Sequence, residues 1–498
     1  MEKKISDQEK NRKLKLEKLI NQNQNPFLET SYLRNYNSKK FYQDFDKYNK
    51  EELLEKEHIL ISMAGRIKRF RRSGKVIFAN LIDEYQEFQI YIKKDLISNF
   101  DKVKEFDIGD IVGVKGFVMK TRVQTLTLKV NEIILLAKAL KPLPEKYHGL
   151  VDVETRYRKR YLDLIMNKEV KDVFVKRTKI INSIRNYLNN LGFLEVQTPI
   201  LQPIHGGAVA RPFTTFHNSL KQKLYLRIAT ELYLKRLIVG GFNKVYEIGP
   251  IFRNEGISPK HNPEFYSLEA YWAYKNYHVM IELCENLIND VVLKLNNNSL
   301  SLKYQNQILN FKKPYLKLTM IQAVKKYCNV DFEKIKTFEQ AKEIALKNNL
   351  PILKHHNSIG HILNLFFEEK VEQNLIQPTI IYEYPFEISP LAKKIKTKPL
   401  FCERFELFIN TIEFVNAFSE LNNPNEQYLR FKNQVESKQN GNLEYHEIDY
   451  DYIEALKYGL APCGGIGIGI DRLVMLICNK TSIKDVLLFP QLKTKKTK

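Results

Sequence analysis

Two stretches of the sequence carry charged residues in patterns that could bind an anionic ligand. In the first, 244–274, alternation predicts two strands joined by a long loop that contains Lys260 and His261. The predicted strands place an arginine, glutamates and aromatic residues on one side of the hairpin, namely Arg253, Glu255, Phe265, Glu269 and Tyr271. A solvated hairpin face rarely needs aromatic rings among its charges. The pattern therefore favours a site for a phosphorylated ligand over an ordinary exposed hairpin.

The second stretch, 404–423, predicts another hairpin, with its turn at 410–411. This pairing places Glu406 opposite Val415 and Glu413 opposite Phe408, so that both carboxylates lie on one face, about 7–8 Å apart. Two acids so close repel each other unless a divalent cation or a cationic partner neutralises them. Surface lysines are the alternative to a metal ion.

The same hairpin carries Asn416 and Glu420, which are further candidates for binding. Strict alternation puts these two side chains on the opposite face from Glu413. If all the polar residues of the hairpin act together, a β-bulge must interrupt the alternation.

A glycine-rich strand, 461–470, runs into a helix that begins near Asp471 and includes Arg472. The glycines alone are a weak signal, and too little chain follows them for the βαβ unit of a dinucleotide-binding fold.

Composition limits the class of protein. The length of 498 residues corresponds to about three domains, and 44% hydrophobic residues can build large cores. A net charge of +22 indicates either a polyanionic partner or a generally lysine-rich surface. The five cysteines are scattered, which argues against a disulfide framework or a zinc site. With no apolar signal core and no run of about eighteen apolar residues, we expect a cytoplasmic protein without a membrane segment.

Periodicity divides the chain into segments that would position these residues. Five short alternating strands with a helical interruption predict an OB-fold barrel, on which Phe78 would either stack a base or fill the core. A helix capped by Thr230 places Glu231 in its first turn. The expected segments are a basic helical extension (1–58), the barrel (59–140), a linker (141–160), and a second domain (161–498) with a helical insertion at about 283–375.

The motifs themselves resemble those of a known family. FRNE followed by HNPEF resembles motif 2 of the class II aminoacyl-tRNA synthetases, LEVQTPIL resembles motif 1, and the stretch around Arg472 resembles motif 3. The neighbouring stretches are similar to the lysyl-tRNA synthetases in particular, from about Ser62 to Pro490. The resemblance implies an α+β fold in which the OB-fold barrel precedes a class II catalytic domain, an antiparallel sheet flanked by helices.

The resemblance also implies roles for individual residues. Arg253 and Arg472 are the expected catalytic residues. ATP would be bound by both arginines and by Glu255, His261, Asn262, Phe265, Glu406 and Glu413, of which the last two would hold Mg²⁺. L-Lysine would be bound by Gly207, Glu231, Arg253, Glu269, Tyr271, Asn416, Phe418 and Glu420. The anticodon would be contacted by Arg71, Phe78, Gln89 and Glu132.

The implied activity is the formation of lysyl-adenylate from lysine and ATP, followed by transfer of lysine to the 3′ end of tRNA(Lys), in a homodimer assembled through the motif 1 region. Two alternatives stay open. One is a ligase that adds lysine to a protein, but such paralogues lack the anticodon-binding barrel. The other is a catalytically inactive RNA-binding paralogue, which should have lost at least one of Arg253, Glu255, Glu413 and Arg472. The chain departs from the family at Thr230, where Pro is usual, and at Lys260, where Arg is frequent.

Overall fold

A computed structural model describes residues 6–56, 58–144, 150, 152–438 and 448–494. The chain folds as two compact units, divided between residues 151 and 152. Parts of the predicted extension (1–5 and 57) and of the predicted linker (145–149 and 151) lie outside the described residues.

The N-terminal unit begins with the predicted basic helix. The helices of this segment are α1 (Asp7–Asn21), α2 (Ser38–Phe45) and α3 (Lys50–Leu54). Ser6 caps α1 by accepting a hydrogen bond from the Glu9 amide, at 3.2 Å. Arg12 is buried and donates to the carbonyls of Ala139 (2.8 Å) and Ile108 (3.0 Å), which fixes α1 against the strands that follow.

Five strands and one short helix form the rest of this unit, which confirms the predicted OB-fold barrel. They are β1 (Ile61–Ser73), β2 (Val76–Ile82), β3 (Glu87–Lys93), α4 (Phe100–Val103), β4 (Ile111–Lys120) and β5 (Leu126–Ala137). The strands close in the order β1-β2-β3-β5-β4. Alternate residues such as Ile77, Ala79 and Leu81 fill the interior, because successive side chains of a strand point to opposite faces.

The C-terminal unit contains the remaining helices and strands. Its first half comprises α5 (Val153–Arg158), α6 (Arg160–Met166), α7 (Lys168–Asn190), β6 (Leu194–Glu195), β7 (Leu201–Gln202), β8 (Thr214–His217), β9 (Gln222–Leu226), α8 (Glu231–Val239), β10 (Lys244–Phe252), β11 (Glu264–Ala273) and α9 (Tyr277–Leu295). Its second half comprises β12 (Ser301–Tyr304), β13 (Gln307–Asn310), β14 (Leu316–Thr319), α10 (Met320–Cys328), α11 (Phe338–Lys347), α12 (Ile359–Phe366), β15 (Thr379–Pro385), β16 (Lys394–Ile395), β17 (Lys398–Ile409), β18 (Ile412–Ser419), α13 (Pro424–Lys438), α14 (Tyr450–Lys457), β19 (Cys463–Gly469), α15 (Ile470–Ile477) and α16 (Ile483–Val486).

The main sheet of this unit has the order β14-β15-β17-β18-β19-β11-β10-β6, with β16 paired to β17 at its side. Neighbours are antiparallel except for β14 with β15 and β10 with β6, which are parallel. Leu268 and Ala270 of β11 point into a core shared with α7, α9 and α15, whereas the alternating Glu269 points to the other face. One face of the sheet is therefore packed, and the other is available for binding.

The predicted helical insertion contains more strand than its periodicity indicated. Helices α10, α11 and α12 enclose a core of their own, but β12 and β13 form a hairpin, and β14 joins the main sheet. Strands of four residues are too short to establish a period of two in a sequence otherwise dominated by helical spacing. Among the described residues, no helix combines the length and the apolar character that crossing a membrane requires.

Candidate active site

A cavity of about 1040 Å³ opens on the unpacked face of the main sheet. Residues from both predicted hairpins, from α8 and from the glycine-rich strand line it. The structure brings all the residues expected to bind ATP or lysine to this cavity, namely Gly207, Glu231, Arg253, Glu255, His261, Asn262, Phe265, Glu269, Tyr271, Glu406, Glu413, Asn416, Phe418, Glu420 and Arg472.

The glycine-rich strand β19 lies between the two hairpins and joins them. It pairs with β11 on one side and with β18 on the other, so that Gly467 faces both Glu269 and Asn416, and Gly465 faces both Tyr271 and Phe418. Glycine is required at 465 because an added Cβ atom would overlap a carboxylate oxygen of Glu420. Because Gly465 and Gly467 carry no side chains, those of both neighbouring strands can converge above β19, whose Ile466 and Ile468 point into the core.

The pairing of β17 with β18 differs from the prediction in one respect. Glu413 faces Phe408 and the turn lies at 410–411, as predicted, but Glu406 faces Asn416 instead of Val415. The register shifts after Leu407 because β18 carries one extra residue there, the β-bulge that the sequence requires if all the polar residues act together. The bulge brings Glu413 and Asn416 to the same cavity although they are three positions apart.

One end of the cavity is rich in hydrogen-bond acceptors. Glu231 and Glu420 are buried, and the Tyr271 hydroxyl donates to Glu269 at 3.3 Å. Removal from water raises the pKa of Glu269 to about 7, and the nearby Glu231 carboxylate acts in the same direction. The amide of Thr230 donates to Glu269 at 3.2 Å, which lowers that pKa. Such a set of acceptors is suited to a ligand with ammonium groups.

Gly207 adds backbone to this acceptor-rich end. Its φ angle of +87° lies in the left-handed region, and a Cβ atom there would lie 3.0 Å from the Cβ of Ala229 and 3.1 Å from that of Glu231. The close approach requires glycine, because any side chain would be both strained and crowded.

Lys235 is the member of this end that the sequence analysis missed. Its ammonium is fully buried, donates to Glu231 at 2.5 Å and forms an ion pair with Glu420. The spacing of four residues from Glu231 on α8 is a signal for the first contact. The second contact brings together residues far apart in the chain, and the helical pattern gives no indication of it.

A second group of residues lining the cavity, the arginine end, contains Arg253 and Arg472. The Arg253 guanidinium lies 5.2 Å from the centre of the Phe265 ring, a cation–π arrangement. Arg472 donates to the backbone carbonyl of Glu413 at 2.5 Å and lies 3.4 Å from Nε2 of His261. Burial, together with the charge of Arg472, lowers the pKa of His261. These cations face a space suited to phosphate groups.

Further carboxylates, those of Glu372, Glu406 and Glu413, line the same cavity. Glu406 accepts hydrogen bonds from the Tyr384 hydroxyl (2.8 Å) and from Arg404 (2.5 Å). Burial raises the pKa of Glu406 to about 7, and although Arg404 lowers it, the charge of Glu413 raises it further. Glu372, which the sequence analysis did not single out, also has its pKa raised to about 7, by burial and by Glu406 among other carboxylates.

This excess of negative charge fits a magnesium ion, since carboxylate oxygens are the ligands that Mg²⁺ prefers. Within the part of the chain that the structure describes, no three metal-binding side chains already meet in a coordination cluster. Glu406 and Glu413 are the residues that could hold the ion.

On the barrel, three of the four residues expected to contact an anticodon lie on neighbouring strands. Phe78 of β2 is directly opposite Arg71 of β1 and Tyr91 of β3, and its ring lies 5.1 Å from that of Tyr91. Phe78 is half-buried and is not part of the barrel core, which argues against the alternative interpretation of this residue. Gln89 lies nearby on β3 and accepts a hydrogen bond from Thr127.

Glu132 does not join this group. It forms an ion pair with Lys115 at 3.0 Å, and Lys115 pairs with Ser62 at the start of β1, nine positions before Arg71. A β-bulge in β5 separates Glu132 from the part of that strand that pairs with Gln89. The structure thus groups Arg71, Phe78 and Gln89, whereas Glu132 lies farther along β5, beyond the bulge.

Comparisons with known proteins give consistent results over the whole chain. Residues 152–493 match the family model for tRNA synthetases class II (D, K and N), and residues 61–136 match that for an OB-fold nucleic acid binding domain. The chain is 48% identical to a lysine–tRNA ligase of Mycoplasma mycoides subsp. mycoides over 98% of both chains. It is 48% identical to that of Mycoplasma capricolum subsp. capricolum over 99% of both chains, and 49% identical to that of Staphylococcus aureus strain MRSA252 over 99% of this chain and 100% of the relative.

Proposed function

Since the chain belongs to the lysine–tRNA ligase family of class II tRNA synthetases and joins lysine to tRNA, we propose that the cavity described above is the place where lysine and ATP react. The observation that carries this assignment is a single cavity that is lined both by carboxylates with Tyr271 and by Arg253 with Arg472. Lysine carries two ammonium groups and one carboxylate, and ATP is a polyanion, so the two ends are complementary to the two substrates.

In this proposal the lysine end selects the amino acid. Glu420 and Tyr271 receive the side-chain ammonium, and Glu231 with the backbone of Gly207 receives the α-amine. The remaining residues of this end, Glu269, Asn416 and Phe418, complete the pocket walls. Burying an unpaired ammonium is costly, so acceptors deep in the cavity discriminate strongly in favour of lysine.

The reaction needs positioning and positive charge more than a protein nucleophile. The lysine carboxylate attacks the α-phosphorus of ATP in line with the departing pyrophosphate. Arg253 holds both that carboxylate and the α-phosphate, and so offsets the charge that builds up on the phosphate oxygens. In the second step the 3′-hydroxyl of tRNA(Lys) attacks the carbonyl of lysyl-adenylate and AMP leaves.

The other residues of the arginine end bind the nucleotide. Phe265 and Arg472 enclose the adenine, Glu255 contacts its edge, and His261 with Asn262 contacts the phosphates. Glu406 and Glu413 would hold Mg²⁺, which when bound supplies positive charge to the phosphate groups. The charge that Glu413 and Glu406 impose on each other supports this assignment.

We assign anticodon binding to the 59–140 domain, through Arg71, Phe78 and Gln89, with Glu132 as the weakest member of the set. Phe78 offers a half-buried ring for stacking, beside polar groups for the base edges. The closed barrel also disfavours a ligase that modifies proteins, because such paralogues lack it. Catalysis belongs to the 161–498 domain.

A homodimer formed through the motif 1 region is part of the proposal. In this region α7, β6, β7 and β8 expose apolar side chains that a monomer would leave in water, namely Val175, Leu194, Leu201 and Phe216, each between 46% and 55% exposed. The five cysteines are free, which suits a reducing compartment such as the cytoplasm.

The decisive experiment is ATP–pyrophosphate exchange with each amino acid in turn, followed by charging of tRNA(Lys). We expect exchange that requires lysine, and charging that depends on the barrel. Exchange with no charging of tRNA, but with transfer of lysine to a protein, would favour the protein ligase instead. Sedimentation of the protein at micromolar concentration tests the dimer.

A further inference from the structure

A lysine of the protein occupies the position between two groups that the proposed function assigns to the substrate. Lys235 is on α8, fully buried, with its ammonium 2.5 Å from Glu231 and ion-paired with Glu420. The ammonium also lies 5.5 Å from the centre of the Phe418 ring and 6.0 Å from that of Tyr452. The chain thus provides its own cation at the lysine end of the cavity.

Counting charges explains what this cation does. The lysine end holds the carboxylates of Glu231, Glu269 and Glu420, against which the protein sets Lys235 and, towards the α-phosphate, Arg253. The nearby Arg404 is not counted, because it is already paired with Glu406 at 2.5 Å. The protein side is therefore short of one positive charge when all the carboxylates are ionised. Free lysine carries one more positive than negative charge at neutral pH, so the filled pocket is electrically balanced.

Glu420 has one carboxylate oxygen that can still accept a hydrogen bond from a ligand in the cavity. No hydrogen-bond donor among the described residues reaches its Oε1 atom, although the side chain is only 1% exposed. Glycine at position 465 keeps the space next to that oxygen open. An unsatisfied buried carboxylate oxygen is costly unless a ligand donates to it.

We propose that Lys235 is a positioning residue that keeps Glu231 and Glu420 ionised in the free enzyme, so that lysine enters a pocket that is already charged to receive it. The inference rests on the proposed function of the cavity. Without Lys235, the buried carboxylates would keep a proton, and each binding event would have to expel it.

Every titratable or charged group that faces this site enters the expected pH dependence. On α8 it is Glu231, directly after β18 it is Glu420, and the other neighbours are Glu269, Tyr271, Tyr452, Cys463, Arg253, Lys393 and Arg404. Burial raises the pKa of both Glu231 and Glu420, and the charge of Lys235 acts in the opposite direction. Removing Lys235 should raise both pKa values further, so that lysine binding weakens at lower pH and recovers as the pH rises.

The test compares Lys235→Met with Lys294→Met. Lys294 also pairs with an acid four residues away on a helix, Asp290 at 2.7 Å, but it is 52% exposed. For Lys235→Met, we expect the KM for lysine in pyrophosphate exchange to fall about tenfold for each unit by which the pH rises around neutrality. The reason is that, at pH values below its pKa, the ionised fraction of a carboxyl group rises about tenfold per pH unit. The KM for ATP should stay within about twofold of the wild type, and Lys294→Met should match the wild type in both. If Lys235→Met raised the KM for lysine and the KM for ATP equally, and independently of pH, the proposal would be overturned.

A measurement on the unchanged protein decides the matter even if Lys235→Met does not fold. Calorimetric titration with lysine, in two buffers of different ionisation enthalpy at about pH 7.5, counts the protons released on binding. We expect at most about a quarter of a proton from the wild type, released by Glu269 with its pKa of about 7, and about one proton more from Lys235→Met. A full proton released by the wild type would overturn the inference while leaving the proposed function intact. Absence of lysine-dependent exchange in the wild type would instead contradict the proposed function itself.

Discussion

Gly465 is the position at which the smallest added group should disturb the lysine end of the cavity. A Cβ atom built on this residue would overlap Oε1 of Glu420 and would lie 2.6 Å from Cε1 and 3.0 Å from Cδ1 of Tyr271. Tyr271 is only 3% exposed, so most of its surface is packed against neighbouring atoms. In Gly465→Ala, the Glu420 carboxylate must therefore move by about 1 Å, since ordinary contacts between carbon and oxygen begin above 3 Å.

The size of the effect follows from that displacement. A misplacement of about 1 Å in a substrate-positioning group costs about 100-fold in rate, or about 2.7 kcal/mol. We expect kcat/KM for lysine to fall by that factor in lysine-dependent pyrophosphate exchange. The KM for ATP should change by less than about threefold, because in the proposed function Glu420 contacts the lysine side chain and not ATP.

Gly467→Ala is the matched control for this prediction. The position is on the same strand and the same face, but its added Cβ would lie 3.7 Å from the Asn416 carbonyl oxygen and 3.9 Å from Cγ of Glu269, which are ordinary contacts. We expect kcat/KM for lysine within about threefold of the wild type. Thermal melting should show that both variants fold. Similar losses in the two variants, or no loss in Gly465→Ala, would refute the reasoning from Glu420.

Three further predictions concern single residues of the two units. Glu420→Gln should raise the KM for lysine about 10- to 100-fold, because it removes a charge-assisted hydrogen bond to the ammonium, and should leave the KM for ATP unchanged. Equal increases in the two KM values would show that Glu420 does not bind lysine. Thr230→Pro removes the amide that donates to Glu269, whose pKa is about 7. Because that amide favours the ionised carboxylate, the pH midpoint of kcat/KM for lysine should move upwards, whereas Thr230→Ser should leave it in place. Phe78→Ala should raise the KM for tRNA about tenfold, through lost base stacking, without altering pyrophosphate exchange; unchanged charging would remove Phe78 from the anticodon site.

The sequence was a good guide where function depends on local pattern. Alternation along β11 correctly indicated which residues share a face, because register in a sheet with one packed face is strongly specified. The first strand was predicted too long: β10 ends at Phe252, so Arg253 and Glu255 reach the cavity from the connection that follows it. The glycines of β19 and the turn at 410–411 are likewise local features. Residues of the two hairpins could therefore be expected at one cavity before the fold was known.

The sequence was a poorer guide where contacts depend on distant elements. The partner of Glu406 was predicted one position away because alternation alone does not locate a bulge, only the need for one. The burial of Lys235 depends on contacts with Glu420 and Tyr452, which are about 200 residues away in the sequence. Glu132 was assigned through resemblance, but a second bulge separates it from Phe78.

The central position of β19 limits how this enzyme can change. Both ribbons that we propose to bind the substrates take their alignment from the same strand: β11 pairs along Cys463–Gly469, and β18 pairs along Gly464–Ile468. A one-residue insertion or deletion in β19 would shift the register of both neighbouring ribbons at once. It would also turn side chains of β19 that now face the core towards the cavity. New amino-acid specificity is therefore reachable only by replacing side chains on the flanking ribbons, while changes of length are confined to connections such as 253–263.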